Sequence, residues 1–253
     1  MAKQIKADNF GGSLLISKGI IIGKRQSDFY FKLKIAKYSP FIFQQRYESN
    51  HFSWNNENEF FNIDEQEVRA GLSVPSIRLK GEFATKFVTN YIYCDANAHF
   101  QQIGDTVLNL TSIRLHKDFK LGRFFIKNKI VYQLPPNMGE DIISTPEWSF
   151  YNTTYFDLNH FLDKISVEAQ VGFDITYCSK FKALGYNPVV GQFHQSNSEV
   201  YAGEYPIVNA FINMRIKTVL LFFKYENLVN MFRKDKYYFI LDKYAMNIAA
   251  FRF

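Results

Sequence analysis

Residues 165–177 read Ile-Ser-Val-Glu-Ala-Gln-Val-Gly-Phe-Asp-Ile-Thr-Tyr, and they divide into two alternating sets. Ile165, Val167, Ala169, Val171, Phe173, Ile175 and Tyr177 form one set; Ser166, Glu168, Gln170, Gly172, Asp174 and Thr176 form the other. A helix would scatter the first set around its circumference, whereas a strand collects it on one face. Thirteen alternating residues are long for a strand of an ordinary globular protein. A tilted strand needs roughly 9–11 residues to cross a bilayer.

The same period recurs on both sides of this stretch. Phe29, Phe31, Leu33 and Ile35 alternate with Tyr30, Lys32, Lys34 and Ala36. Ile77, Leu79 and Phe83 alternate with Arg78, Lys80 and Glu82, and the pattern runs on through Thr85, Lys86 and Phe87. Ile113 and Leu115 alternate with Arg114 and His116; Phe124, Ile126, Ile130 and Tyr132 oppose Lys127 and Lys129. Ala210, Ile212, Met214 and Ile216 alternate with Phe211, Asn213, Arg215 and Lys217, and a further segment follows at Val219–Glu226. Between them lie short polar or Pro- and Gly-containing breaks such as Leu134–Asn137, Thr145-Pro146, Gly185–Pro188 and Ser196–Pro206, which read as turns and loops. No segment carries a helical stripe of comparable length. The expectation is an all-β, antiparallel, up-and-down protein with roughly 10–12 strands in one domain over residues 1–253.

Composition narrows the class. The net charge is +6, 47% of residues are hydrophobic and 18% are aromatic. That apolar content excludes a disordered chain, and two cysteines exclude a disulfide-dense scaffold. The longest unbroken apolar run is five residues, so no transmembrane helix is expected. Met1–Phe10 contains two lysines and no apolar core, so no signal peptide is read in the chain as written. No basic cluster or motif points to nucleic acid, and none is expected as a partner.

Alternation alone fits two environments. In a soluble sandwich the apolar faces pack together; in a membrane barrel they meet lipid while the polar faces line a lumen. Aromatic residues near segment ends, among them Tyr38, Tyr91, Trp148, Tyr155 and Tyr225, favour a membrane boundary, where a ring with a polar tip is at home. The final run Ala249-Ala250-Phe251-Arg252-Phe253 resembles the C-terminal signal of bacterial outer-membrane barrels.

The chain from Phe156 onward carries a more specific likeness. Tyr177, Ser179, Phe181, Tyr186, Pro188, Gly191, Gln192 and Phe193 form a strand end and loop. Tyr205-Pro206, Asn209-Ala210-Phe211, Asn213, Ile216-Lys217 and Phe222-Phe223-Lys224-Tyr225 follow as a hairpin. Over residues 150–228 this resembles the C-terminal part of the putative porins of Bacteroidota; over 237–253 the likeness is vaguer. The resemblance implies a transmembrane β-barrel in the outer membrane of a Gram-negative bacterium that passes small solutes passively. Lipid and small solutes are the implied partners; a homo-oligomer and a larger outer-membrane complex both stay open, because the oligomeric state does not follow from the sequence. The family usually continues past Phe-Arg-Phe with a Gly-x-x-Trp-x-Phe tail, carries a signal peptide and is longer. Here the chain stops at Phe253, so a fragment of a larger barrel is also an expectation.

Under that reading the alternation assigns faces. Lys32, Lys34, Arg78, Lys80, Glu82, Lys86, Arg114, Lys127, Lys129, Glu168, Asp174, Arg215 and Lys217 are expected to face the lumen. Phe29, Phe31, Leu33, Val167, Val171, Phe173, Ile175, Ile212, Met214 and Phe223 are expected to face lipid. The excess of bases over acids in the first group predicts an anion-leaning passage.

No catalytic set is visible, and no enzyme, cofactor or metal is expected. None of His51, His99, His116, His160 and His194 forms a pair at metal-ligand spacing. Glu168 and Asp174 share a face but lie roughly 20 Å apart along a strand, too far for a carboxylate pair. Cys94 and Cys178 sit at strand ends, with a disulfide and two free thiols both open. Two other functions compete with a conducting porin: a non-conducting barrel in an outer-membrane assembly, and a soluble β-sandwich binding module.

Overall fold

The computed structural model describes residues 9–22, 25–104, 106–159, 167–232, 240–241, 244–245 and 249–253. Eleven strands form one sheet in sequence order. They are β1 (Phe10–Ile22), β2 (Arg25–Tyr38), β3 (Ile63–Val74), β4 (Leu79–Thr89), β5 (Leu108–Leu121) and β6 (Phe124–Gln133). β7 (Trp148–Asp157), β8 (Val167–Cys178), β9 (Ile207–Ile216), β10 (Val219–Glu226) and β11 (Ala250–Arg252) complete it. Every neighbouring pair is antiparallel, and among the described residues the sheet is open, with β1 and β11 as its edges. Ile165 and Ser166 of the opening stretch lie outside the described residues.

The registers carry one alternation across the whole sheet. Directly opposed residues of an antiparallel pair point to the same face. Leu33 opposes Leu14 and Val68, Phe83 opposes Ala70 and Ile113, and Ile130 opposes Leu115 and Phe150. Phe173 opposes Thr154 and Ala210, and Ile212 opposes Val171 and Phe223. A single-residue slip anywhere would move an apolar set to the other side. The result is one apolar face and one charged face over β2–β11, while the edge strand β1 brings Ser13, Leu15, Ser17, Gly19 and Ile21 to the charged side.

The two ends of the sheet differ. At one end lie short connections, Pro75–Arg78, Gly122-Arg123 and Lys217-Thr218, each closing a hairpin; residues 158–166 make a longer link at the same end. Two-residue hairpin turns call for a left-handed residue, and φ is +61° at Gly122 and +53° at Lys217. At the other end the connections are long: 39–62, 90–107, 134–147, 179–206 and 227–249. Several carry small hairpins, such as Arg46–Glu48 with Ser53–Asn55 and Ile92–Cys94 with Phe100–Gln102. One holds a four-residue helix, Ile42–Gln45.

The long connections build the cores. Trp54, Cys94, Ala98 and Val190, from three different connections, cluster with Phe43, Tyr47, Phe52 and Phe100. The Trp54 indole donates to the Phe43 carbonyl at 2.9 Å. A second cluster joins Ile63, Val88, Ile92 and Leu108, against which Met138 and Ile143 of the 134–147 connection pack. Ile63, Val88 and Leu108 belong to the charged face, so this connection folds over that face at its long-loop end.

Candidate functional site

The charged face is a network organised around acids that hold bases, most of them on other strands of the sheet. Lys34 and Lys86 both reach Glu65, at 2.8 and 3.4 Å, and the Glu65 side chain is only 9% exposed. Arg69 pairs with Glu67 at 2.6 Å. Arg114 pairs with one oxygen of Glu82 at 2.7 Å, and the Tyr30 hydroxyl donates to the other. Further round the sheet, Arg215 meets Glu168 at 3.4 Å, Lys224 meets Asp174 at 3.6 Å and Arg252 meets Glu226 at 3.0 Å. Thr153 also donates to Asp174 at 2.8 Å. Half-buried charges are tolerated only when paired and hydrogen-bonded; Glu65 and Glu82 meet that condition with bases from other strands and Glu67 with Arg69 on its own strand, whereas the Arg215–Glu168 pair is exposed.

Other bases on this face have aromatic rather than acidic company. Lys127 lies 5.3 Å from the Tyr155 ring centre, Lys129 5.4 Å from Tyr151 and Lys120 4.9 Å from Phe125. Among the described residues, no acid forms an ion pair with Lys32, Lys80, Lys120, Lys127 or Lys129.

The folded-over connection bounds a cavity of about 230 Å³ against the network. Its walls are Glu67, Arg69, Lys86 and Arg114 from the sheet, and Pro136, Ile143 and Thr145 from the connection. The opposite face is different in kind. Phe29, Ile35, Phe83, Leu115, Phe124, Phe173 and Ile212 are each at least 40% exposed. Several of its polar residues pair with one another: Asn152 donates to Asn128 at 2.8 Å, the Thr85 and Thr111 hydroxyls share a bond of 2.7 Å, and Lys37 meets Asp64 at 3.7 Å near the long-connection end. Lys117, also on this face, reaches the Ile77 carbonyl at the short-turn end at 2.5 Å.

Sequence expectations map onto this geometry with two corrections. Lys32, Lys34, Lys80, Glu82, Lys86, Arg114, Lys127, Lys129, Glu168, Asp174 and Arg215 share the charged face. Phe29, Phe31, Leu33, Val167, Val171, Phe173, Ile175, Ile212, Met214 and Phe223 share the apolar face. Arg78 and Lys217, however, lie in turns rather than strands, each with positive φ, +52° and +53°. Pro75 starts a turn in which the Ile77 amide donates to the Val74 carbonyl, so the alternation read through Ile77 begins only at Leu79. Lys217 caps a two-residue hairpin between Ile216 and Val219.

The sequence reading also undercounted acids. Asp28, Glu65, Glu67, Asp118, Asp157 and Glu226 share the charged face, as do the bases Arg69, Lys120 and Lys224. Glu65, Glu67 and Arg69 lie on β3, where Asp64 and Gln66 make the other face polar too and hide the period.

Cys94 and Cys178 are both buried free thiols. Burial, helped by Asp95, pushes the Cys94 thiol up to about 11. Among the described residues no group of histidine, cysteine and carboxylate side chains is arranged to hold a metal; His160 lies outside them. No described helix is long and apolar enough to cross a membrane, which leaves strands unaddressed.

A family model described as a putative porin matches residues 3–253, far beyond the 150–228 segment that carried the sequence resemblance. No curated protein and no solved structure matches the chain.

Proposed function

The chain belongs to the putative porin family, and on that premise we propose that it forms part or all of an outer-membrane β-barrel that passes small solutes passively, with a preference for anions. The observation that carries the reading is the inverted sidedness of the sheet. A wide apolar face is exposed, while the charged face carries the ion network and the inward-folded 134–147 connection. In water such an apolar face would drive association; against lipid it is the favourable surface, with the charged face lining an aqueous interior. The short turns and long connections at opposite ends match the periplasmic and extracellular sides of such barrels.

The same sidedness speaks against a soluble sandwich, in which apolar faces pack on each other; no second large sheet covers this one among the described residues. Closure in lipid requires the free edges of β1 and β11 to find partners, because each unpaired backbone group there costs several kcal/mol. In an up-and-down sheet of eleven strands, the first and last run the same way. Direct closure would therefore be parallel, and an antiparallel closure needs a further strand.

The test has two steps. Protein from the membrane fraction is run in SDS unheated and boiled, and a mobility shift is expected. The folded protein is then placed in planar bilayers under a potassium chloride gradient, where steady conductance with an anion-directed reversal potential is expected. Folded protein without conductance would favour the second reading, a non-conducting barrel component. The packing of Met138 and Ile143 over the charged face gives that reading its support. Soluble protein without a shift would overturn both.

A further inference from the structure

We propose that Lys80, His116 and Lys129 form a binding step for a small doubly charged oxyanion, of the inorganic phosphate class, on the charged face. The proposal rests on the reading of that face as the wall of an aqueous passage. The three residues stand directly opposite one another on consecutive neighbours β4, β5 and β6. Opposed side chains of this kind start about 5 Å apart at Cβ, so the three heads converge on one patch. All three are exposed. They line a cavity of about 370 Å³ that also takes in Tyr30, Ser73, Arg114 and one acid, Glu82.

Like charges placed directly opposite are destabilising unless something compensates them. Elsewhere on this face the compensation is built in: Glu65 lies between Lys34 and Lys86, and Asp174 holds Lys224. At this row the acid is Asp28, two strands from Lys80 across Ser73, and it accepts from Gln26 at 3.2 Å rather than pairing with these bases. The neighbouring acid Glu82 has one oxygen on Arg114 and the other on the Tyr30 hydroxyl, so it is already engaged. Asp118, one step along the same face, opposes Lys127 and borders an adjoining cavity with Lys80 and His116. Among the described residues no acid forms an ion pair with Lys80, His116 or Lys129. Lys129 is held over the Tyr151 ring, which leaves its ammonium directed by a neutral partner. Two ammonium donors and an imidazole suit the tetrahedral oxygens of an oxyanion, and Ser73, directly opposite Lys80, adds a hydroxyl.

The experiment titrates the folded full chain in detergent with inorganic phosphate at fixed ionic strength, read by phosphorus NMR line width. Saturable binding is expected, weakened about tenfold or more in the Lys80→Gln/Lys129→Gln double variant. A Lys32→Gln/Lys120→Gln variant removes the same charge from the same face and should bind nearly as the parent does. Equal weakening in both variants would replace the site with a diffuse field and overturn the proposal, as would the absence of saturable binding in the parent.

Should the double variant fail to fold, the unaltered protein decides. Phosphate is expected to slow acylation of Lys80 and Lys129 but not of Lys32, and no difference would overturn the site. Conductance separates this proposal from the reading beneath it. A conducting protein without the binding loses only the site; a binding protein that passes no current keeps the site and loses the channel.

Discussion

Gly71 lies directly opposite Tyr30, and the phenol ring occupies the space a side chain at Gly71 would need. A Cβ built there would come within 2.1 Å of Tyr30 Cε1 and 2.7 Å of its hydroxyl oxygen. Lying across the glycine lets Tyr30 span β3 and deliver its hydroxyl to Glu82 on β4. One missing side chain thus ties three strands together and engages the acid that holds Arg114. Gly172 is crowded differently: opposite Tyr155, an added Cβ would meet the Thr154 carbonyl oxygen at 2.3 Å and the Tyr155 Cβ at 2.7 Å, while the Tyr155 ring stacks away on Phe125.

Alanine at these two glycines should therefore behave differently. At Gly71 the obstruction is a ring that turns aside at the loss of the Glu82 contact, so Gly71→Ala should cost about 1–2 kcal/mol. At Gly172 the obstruction is backbone, and Gly172→Ala should cost more, about 2–3 kcal/mol. Urea unfolding from lipid vesicles measures both, and a smaller loss at Gly172 than at Gly71 would contradict the packing.

The face assignment is tested on β8. Phe173→Arg puts a guanidinium on the apolar face, where it should cost about 2–4 kcal/mol near the bilayer midplane. Gln170→Arg puts the same group on the charged face, opposite Asp157 and Asn213. The fraction of protein with heat-dependent gel mobility should fall sharply for the first and stay near the parent for the second.

Removing the Glu65 charge leaves both Lys34 and Lys86 without their acid. The lysines are 41% and 32% exposed, so solvent screens part of the loss. Glu65→Gln should destabilise by about 1–2 kcal/mol. It also adds one net positive charge to the face, so the reversal potential should move toward anions. A shift toward cations would remove Glu65 from the passage.

Met138 and Ile143 anchor the inward connection on Ile63, Val88 and Leu108. Ile143→Asp should release it, since an ionised carboxylate does not remain in that apolar cluster. Single-channel conductance is expected to rise with no change in the heat-dependent mobility. Unchanged conductance would mean the connection does not narrow the passage.

Thiol reagents should find neither Cys94 nor Cys178 in the folded protein at neutral pH and both after unfolding, because both are buried and free. The Cys94 value of about 11 also carries a pH sign. A thiol in the unfolded chain ionises near about 8.5, so the folded state retains its proton more tightly. The contribution is whole below the unfolded value and is lost as pH rises toward 11. Unfolding midpoints should fall over that window, and less in Cys94→Ala than in the parent.

Strand identity was legible wherever the two faces differ in character. β2, β4 and β8 alternate cleanly because one side of each is apolar and the other polar, a contrast every second residue displays. Three strands escaped for the converse reason. In β1, Leu14-Leu15-Ile16 and Ile20–Ile22 are apolar on both faces. In β3, Asp64–Glu67 is polar on both, and β7 mixes Phe150 and Tyr151 with Asn152–Thr154 across the alternation.

The charged face was legible as a list of bases, but its wiring was not. That Glu65 serves Lys34 from β2 and Lys86 from β4, and that Glu82 is engaged while Lys80 one step away is not, follows from register. So does the closeness of Lys80, His116 and Lys129, which stand 36 and 13 residues apart in the chain yet meet across three strands. Period-two chemistry is local and is written residue by residue, so the chain alone settles which side chains share a face. Which charges on that face neutralise one another depends on how neighbouring strands align, and that alignment is set by the turns and by packing over the whole sheet.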